Sequence, residues 1–189
     1  GSVTVSNCVA DGNAGSGLLV NLSRLNADSQ EVSVDISNLL VRNSRQPALR
    51  AIMRQENAPD GLVQFTNCTS ENIEYSGATC IWKASGNLGL RFVNCKWSDV
   101  ARRRTEAPLH LELQSRKGTA VPGGLEFVNC YVYDDLDRDA VRCLDAQSGE
   151  GPFDLSGAIT VVNTSAAEER LRRAHRFGNL DVQYVKQQP

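Results

Sequence analysis

The sequence predicts an all-β solenoid in which a chain of 189 residues winds through about six coils of parallel strands. Two observations lead to this fold: a short motif that recurs along the chain, and strict alternation of apolar and polar residues beside it. The motif is an apolar residue, any residue and an asparagine, and successive copies are 27 to 35 residues apart. Its six asparagines are Asn7, Asn38, Asn67, Asn94, Asn129 and Asn163.

Two strands are predicted in each repeat. The first leads into the asparagine; Val32, Val34 and Ile36, for example, alternate with polar residues, and a period of two is typical of a strand with one buried face. The second follows about a dozen residues later, after a stretch rich in turn-forming residues. The second strands are predicted at Leu18–Leu22, Leu49–Met53, Thr79–Lys83, Leu109–Leu113 and Val141–Asp145.

Stacked coils explain why the same residue types recur. Equivalent positions lie above one another about every 4.8 Å in such a stack. Asparagine tolerates the left-handed backbone of a sharp corner, and stacked amides can hydrogen-bond to one another. Cysteine follows four of the asparagines, and we interpret it as a small buried residue rather than as a disulfide or zinc ligand. These cysteines are Cys8, Cys68, Cys95 and Cys130.

The repeated apolar-x-apolar-x-Asn-Cys coils resemble the right-handed parallel β-helix superfamily, as in pectate-lyase-like and polygalacturonase-like proteins. The resemblance covers nearly the whole chain and implies the fold rather than one activity. The right hand also agrees with the usual handedness of parallel crossovers. Within this superfamily, the chain is similar to the β-helical carbohydrate-binding modules found beside xylan-degrading glycoside hydrolases.

Residues 1–189 are predicted to form a single domain excised from a larger protein, with Gly1-Ser2 as a tag remnant. Thr164 to Arg176 is predicted to be a short helix, because acidic residues occupy its first turn and arginines its last, and Gly178 follows. We expect this helix to cap the last coil. The first coil has no such cap, which leads us to expect a neighbouring module or partner there.

Composition narrows the classes of partner. The net charge is −2, which provides no basic footprint for nucleic acid, and no apolar run is long enough for a membrane helix. We expect an extracellular or cell-surface protein secreted by a bacterium.

Outward residues of the second strands are the predicted binding site. Trp82 is predicted to be an apolar platform for a sugar ring, with Arg54, His110, Glu112 and Arg142 supplying hydrogen bonds. These faces depend on register, most of all from Arg50 to Arg54, because a slip of one residue reverses the two sides of a strand. His110 and Glu112 could alternatively act as an acid and a base.

The resemblance implies calcium-binding acidic clusters and an arginine base for lyases, and Asp-Asp and Gly-His-Gly motifs for polygalacturonases. Asp134-Asp135 is the one match to these motifs, since His110 has no flanking glycine. Asp135, Asp137 and Asp139 alternate like the start of a calcium loop and form a candidate calcium turn. No other cofactor is predicted.

The sequence therefore predicts a non-catalytic carbohydrate-binding module that recognises a plant cell-wall polysaccharide, with xylan as the first expectation. Its other expected partner is a covalently linked catalytic module, which it would target to the polymer. Two alternatives remain open. One is a polysaccharide lyase or glycoside hydrolase in its own right, and the other is a structural or adhesive solenoid segment.

Overall fold

The computed structural model describes residues 1–25, 28, 30–54, 59–82, 88–103, 105–113, 124–136, 138–145, 155–163, 171 and 175–186, with the backbone alone for residues 144, 145 and 175. These residues form an all-β parallel solenoid whose strands stack coil upon coil. The regular elements with described bounds are all strands, 17 in number. The predicted fold class is confirmed.

Strands of the first face lead into the asparagine corner, pairing in parallel and in register from coil to coil. They are β1 (Ser2–Ser6), β4 (Val32–Ser37), β7 (Gly61–Thr66), β10 (Leu88–Val93) and the first part of β13 (Leu125–Tyr133).

Short strands of the second face follow the corner directly and belong to the same hydrogen-bonded sheet, because β13 runs through both faces. They are β2 (Val9–Asp11), β5 (Leu40–Arg42), β8 (Thr69–Glu71), β11 (Lys96–Ser98) and the end of β13.

The third face is a separate parallel sheet of five described strands, in the order β14-β12-β9-β6-β3. Their positions agree with the predicted second strands to within one residue at each end. They are β3 (Leu18–Asn21), β6 (Leu49–Met53), β9 (Ala78–Trp82), β12 (Leu109–Leu113) and β14 (Val141–Asp145).

The core is a set of in-register columns along the stack. Phe65, Phe92 and Phe127 stack face to face, with ring centroids 4.9 and 5.2 Å apart and planes 9° from parallel. Trp97 packs edge-on against Phe92 and Phe127 from the second face. Such aromatic pairs add to the stabilisation from burial alone, so this column holds neighbouring coils together.

The described residues form about four turns rather than the predicted six, because the five stacked strands of the third face are separated by four turns. The repeat at Asn163 is not a corner. Strand β15 (Leu155–Val162) runs straight beside β13, and the corner at Asn129 is accommodated by a register shift between Phe127 and Cys130. Asn163 is instead buried, and its Nδ2 donates to the carbonyl oxygen of Leu136 at 2.6 Å.

The predicted helix from Thr164 to Arg176 is not borne out. Its last two residues belong to strand β16 (His175–Phe177), which pairs antiparallel with β17 (Asn179–Val185). Gly178, at φ +60°, makes the turn, and Arg176 forms an ion pair with Asp181 at 2.7 Å. Pairing with an existing sheet edge therefore outweighed the local helical pattern. Residues 164–170 and 172–174 lie outside the described residues.

Arg138 forms a largely buried ion pair within its own loop and also hydrogen-bonds to the preceding coil. Its guanidinium contacts Asp134 at 2.7 Å, and the two side chains are 15% and 6% exposed. The same guanidinium donates to the carbonyl oxygens of Val100 and Ala101, and to that of Glu106. The loop before β12 is thus attached to the loop before β14 through three backbone carbonyl oxygens.

Candidate functional site

Four of the five predicted sugar-binding residues lie on the surface of the third sheet or at its end, and the fifth, Trp82, is buried. His110, Glu112 and Arg142 lie on its outer face, as predicted. Arg142 is the direct neighbour of His110 across the β12–β14 pair. Arg54 is exposed just past the end of β6, with Ile52 between it and Arg50 on the outer face. The binding role of these four residues remains a prediction.

Trp82 faces the core, so its predicted role as an exposed platform is wrong. It is 0% exposed, its register partners are the inward residues Met53 and Leu113, and its Nε1 donates to the carbonyl oxygen of Leu88 at 3.2 Å. Thr79 and Ile81, which an outward Trp82 would have placed inside by alternation along the strand, take the outer face instead. Strand β9 is apolar on both sides, so its alternation did not determine which side is buried.

The candidate calcium turn is only partly described. Asp135 and Asp139 are exposed, and Asp137 lies outside the described residues. Across the described part of the chain, no group of three or more His, Cys, Asp or Glu side chains could hold a metal ion.

A groove of about 600 Å³ lies elsewhere, along the asparagine corner and the second face. It crosses three coils, because Thr69, Lys96 and Tyr131 are direct neighbours on β8, β11 and β13. Tyr133 extends it by one outward position along β13 and is 38% exposed. The groove is lined by Asn67, Thr69, Asn94, Lys96, Asn129, Tyr131 and Tyr133.

One wall of the groove is the asparagine ladder, formed by the corner residues of five coils. All have φ between 51° and 54°, which confirms the predicted left-handed corner. Each amide nitrogen donates to the amide oxygen of the preceding coil, at 3.1, 3.3, 3.3 and 2.7 Å along the stack. Tyr131 closes the ladder by donating its hydroxyl to Asn129 Oδ1 at 2.8 Å. The ladder consists of Asn7, Asn38, Asn67, Asn94 and Asn129.

This wall can bind hydroxyl groups in a repeated way. An asparagine amide has two N–H donors and two acceptor lone pairs, and the ladder uses one of each between neighbours. The remaining donors and acceptors recur about every 4.8 Å, the spacing of the coils. Lys96 adds a cation in the middle of the groove, and the two tyrosines add ring surface at one end.

A second left-handed corner and the short strands between the corners were missed from the sequence. The residues of this corner have φ between 48° and 69°. A signal was present, because each lies five residues after a ladder asparagine, and the groove positions Thr69, Lys96 and Tyr131 lie two residues after one. The second corner consists of Gly12, Asn43, Asn72 and Asp99.

The second corner is also tied together by side chains. Asn43 and Arg42 both donate to the Asp11 carboxylate, at 2.7 and 2.8 Å. These hydrogen bonds, that from Asn43 foremost, lower the pKa of Asp11. Asn72 donates to Asn43, and Arg102 donates to Asn72. The two rows are hydrogen-bonded in a similar way, but the ladder asparagines Asn67, Asn94 and Asn129 line the groove.

The cysteine column is structural. All six cysteines are free, and Cys68, Cys95 and Cys130 are buried, as predicted, while Cys8 in the first coil is exposed. The thiol of Cys95 hydrogen-bonds to the carbonyl oxygens of Val93 and Phe65, both at 3.5 Å, and Cys130 makes the equivalent contacts. Hydrogen bonding to the neighbouring thiols, together with burial, raises the pKa of Cys95, so this thiol is not an activated nucleophile.

Comparisons of this chain with protein-family models, with curated proteins and with solved structures found no match. Within the described residues, no helix has both the length and the hydrophobicity needed to span a bilayer.

Proposed function

We propose that this protein is a non-catalytic carbohydrate-binding module and that its sugar site is the groove beside the asparagine ladder. One observation carries the proposal: a continuous row of side-chain amides borders a groove that ends in two tyrosine rings. A polysaccharide presents the complementary groups, namely repeated hydroxyls along its length and apolar ring faces.

The direction of the groove favours an extended chain as the ligand. Asn67, Asn94 and Asn129 lie on successive coils, so the groove follows the stacking axis rather than a single strand. A polymer lying along it would meet equivalent amides at regular intervals. Tyr133, the most exposed of the aromatic residues that line the groove, would stack on one sugar ring.

The proposed ligands are plant cell-wall polysaccharides, and xylan is the first of them to test. In this proposal the protein acts outside the cell and holds an attached glycoside hydrolase on its substrate. Because Trp82 is buried in the core, it is not part of the proposed site. The proposed class of ligand is unchanged.

Affinity electrophoresis in gels containing xylan, β-glucan, pectin or alginate tests the proposal, with the release of reducing ends and unsaturated products followed in parallel. We expect retardation by at least one polymer without product release. Tyr133→Ala should weaken binding by about 1–3 kcal/mol if a stacked ring dominates. Tyr75→Ala is the matched control, because Tyr75 lies outside the groove and packs under Arg103.

Trp82→Phe is the second control and should leave the affinity unchanged. Equal retardation of Tyr133→Ala and the wild-type protein would refute the groove as the site. Product release would favour the lyase or hydrolase alternative and direct attention to His110 and Glu112. No retardation by any polymer would favour the structural solenoid.

A further inference from the structure

The outer face of the third sheet carries three basic side chains and one threonine at equivalent positions of successive coils. Arg50, Thr79, His110 and Arg142 are direct neighbours on β6, β9, β12 and β14, and we refer to these four residues as the basic row. Neighbouring members are about 4.8 Å apart at the backbone. The row therefore presents two guanidinium groups and one imidazole on a surface separate from the groove.

Arg50 has a donor that needs an acceptor. Its side chain is half-buried, and its Nε is fully buried without a hydrogen-bond partner among the described residues. A buried, unpaired polar atom is costly and uncommon, and a bound water molecule or an anionic group can satisfy it. Arg142, at the other end of the row, is exposed and accessible to the same ligand.

Few acidic side chains of the protein itself are described near the basic row, where they could compete with a ligand for its arginines. Ile52 and Ile81 lie beside it on the same face and are only 7% exposed, so the basic side chains have apolar neighbours. Glu112 is the acidic side chain described on this face, and it has a polar interaction of its own. The face is thus locally basic although the whole chain has a net charge of −2.

We propose that the basic row binds an anionic polysaccharide through its carboxylate or sulfate groups. Guanidinium groups bind such planar or tetrahedral oxyanions with two parallel hydrogen bonds, and His110 can add an N–H donor in either protonation state. The spacing favours a sparsely charged polymer, because Arg50 and Arg142 are three strands, or about 14 Å, apart. A nucleic acid strand carries a charge about every 3.4 Å and would leave most of them unneutralised.

Retardation in gels containing either a dextran sulfate of low substitution or unsulfated dextran tests this second site, since the two polymers share one backbone and the sulfate groups of the first are widely spaced. We expect retardation by dextran sulfate alone, decreasing as NaCl is added. Arg50→Gln and Arg142→Gln should each weaken binding about two- to fivefold, and the double variant about tenfold. Arg176→Gln and Arg42→Gln remove arginines that are ion-paired elsewhere on the surface and should have no effect.

Further measurements distinguish sulfate from carboxylate as the group bound, and the basic row from the groove as the site. A largely methyl-esterified polygalacturonate in place of dextran sulfate tests widely spaced carboxylates, and retardation by either polymer supports the proposal. It is overturned if the control arginine variants lose as much binding as the row variants, or if neither anionic polymer retards the protein. Stronger binding of single-stranded DNA would also overturn it.

Tyr133→Ala should retain dextran sulfate binding in full, whatever its effect on neutral sugars. A loss in this variant would place anion binding in the groove, near Lys96, and would refute the basic row without refuting the groove. Conversely, anion binding by the row together with no binding of neutral polymers would leave this proposal standing and remove the first one. Thermal unfolding of each variant confirms that the substitutions leave the fold intact.

Discussion

Asn94 lies in the middle of the asparagine ladder and offers a quantitative test of why asparagine occupies the corners. It donates to Asn67 at 3.3 Å, accepts from Asn129 at 2.7 Å, and has a φ of 53°. Alanine in the left-handed region costs roughly 1–2 kcal/mol, and two exposed hydrogen bonds are worth about 0.5 kcal/mol each. Asn94→Ala should therefore lower the free energy of unfolding by about 2–3 kcal/mol.

Glycine at the same position separates the two contributions. Asn94→Gly loses the same hydrogen bonds and adopts the positive φ without steric cost, so it should be about 1 kcal/mol more stable than Asn94→Ala even after its extra backbone entropy. Asn179→Ala is the matched control, because Asn179 is an exposed strand residue that lies outside the corners. This control should change stability by less than about 0.5 kcal/mol.

Urea unfolding followed by tryptophan fluorescence measures these differences, since Trp82 and Trp97 are both fully buried and report on the core. The comparison holds where the slope with urea is the same in all variants. An Asn94→Gly variant that is no more stable than Asn94→Ala would refute the idea that the left-handed backbone selects asparagine. Wild-type stability in both variants would show that the ladder contributes nothing to folding.

Two further perturbations test the interior. Arg138→Met should destabilise the protein by about 3 kcal/mol, because it leaves the Asp134 carboxylate buried without its cation. The double variant Arg138→Met/Asp134→Leu should recover part of this loss in urea unfolding, since it removes the buried charge but not the loss of the three hydrogen bonds from Arg138 to backbone carbonyls. A double variant as unstable as the single one would contradict this reading. Burial raises the pKa of the Cys80 thiol from 9.0 to about 12, so the unfolded chain releases that proton first as the pH rises. The free energy of unfolding of the wild-type protein should therefore fall between pH 9 and 12. The fall should be steeper than in Cys80→Ala by about 1.4 kcal/mol per pH unit. Equal slopes in the two proteins would refute the role of the buried thiol.

Much of the groove could have been predicted from the sequence. The ladder asparagines were identified, and the groove positions follow them at a constant offset, as Thr69 follows Asn67 and Tyr131 follows Asn129. The short strands that carry these positions were not identified, because three residues between two corners are too few to show a period. That Tyr131 and Tyr133 border a concavity depends on neighbouring coils and is a property of the stack.

Trp82 shows where sequence reasoning reached its limit. The segment Ala78–Trp82 contains apolar residues at both phases of the alternation, so either face could be buried. Pairing with Met53 on one side and Leu113 on the other placed Trp82 inside. The same kind of choice determined the C-terminus, where an available sheet edge made His175–Phe177 a strand.

The sequence by itself determined the solenoid, its asparagine corners and its buried thiols, because stacking requires the same residue type at the same place in every coil. Repetition of this kind is visible along a single chain without knowledge of contacts. Only the tertiary structure decided the number of turns, the face of each strand and the two candidate binding surfaces. These depend on register between strands that are some 30 residues apart, and register is set by the packing of all the coils together.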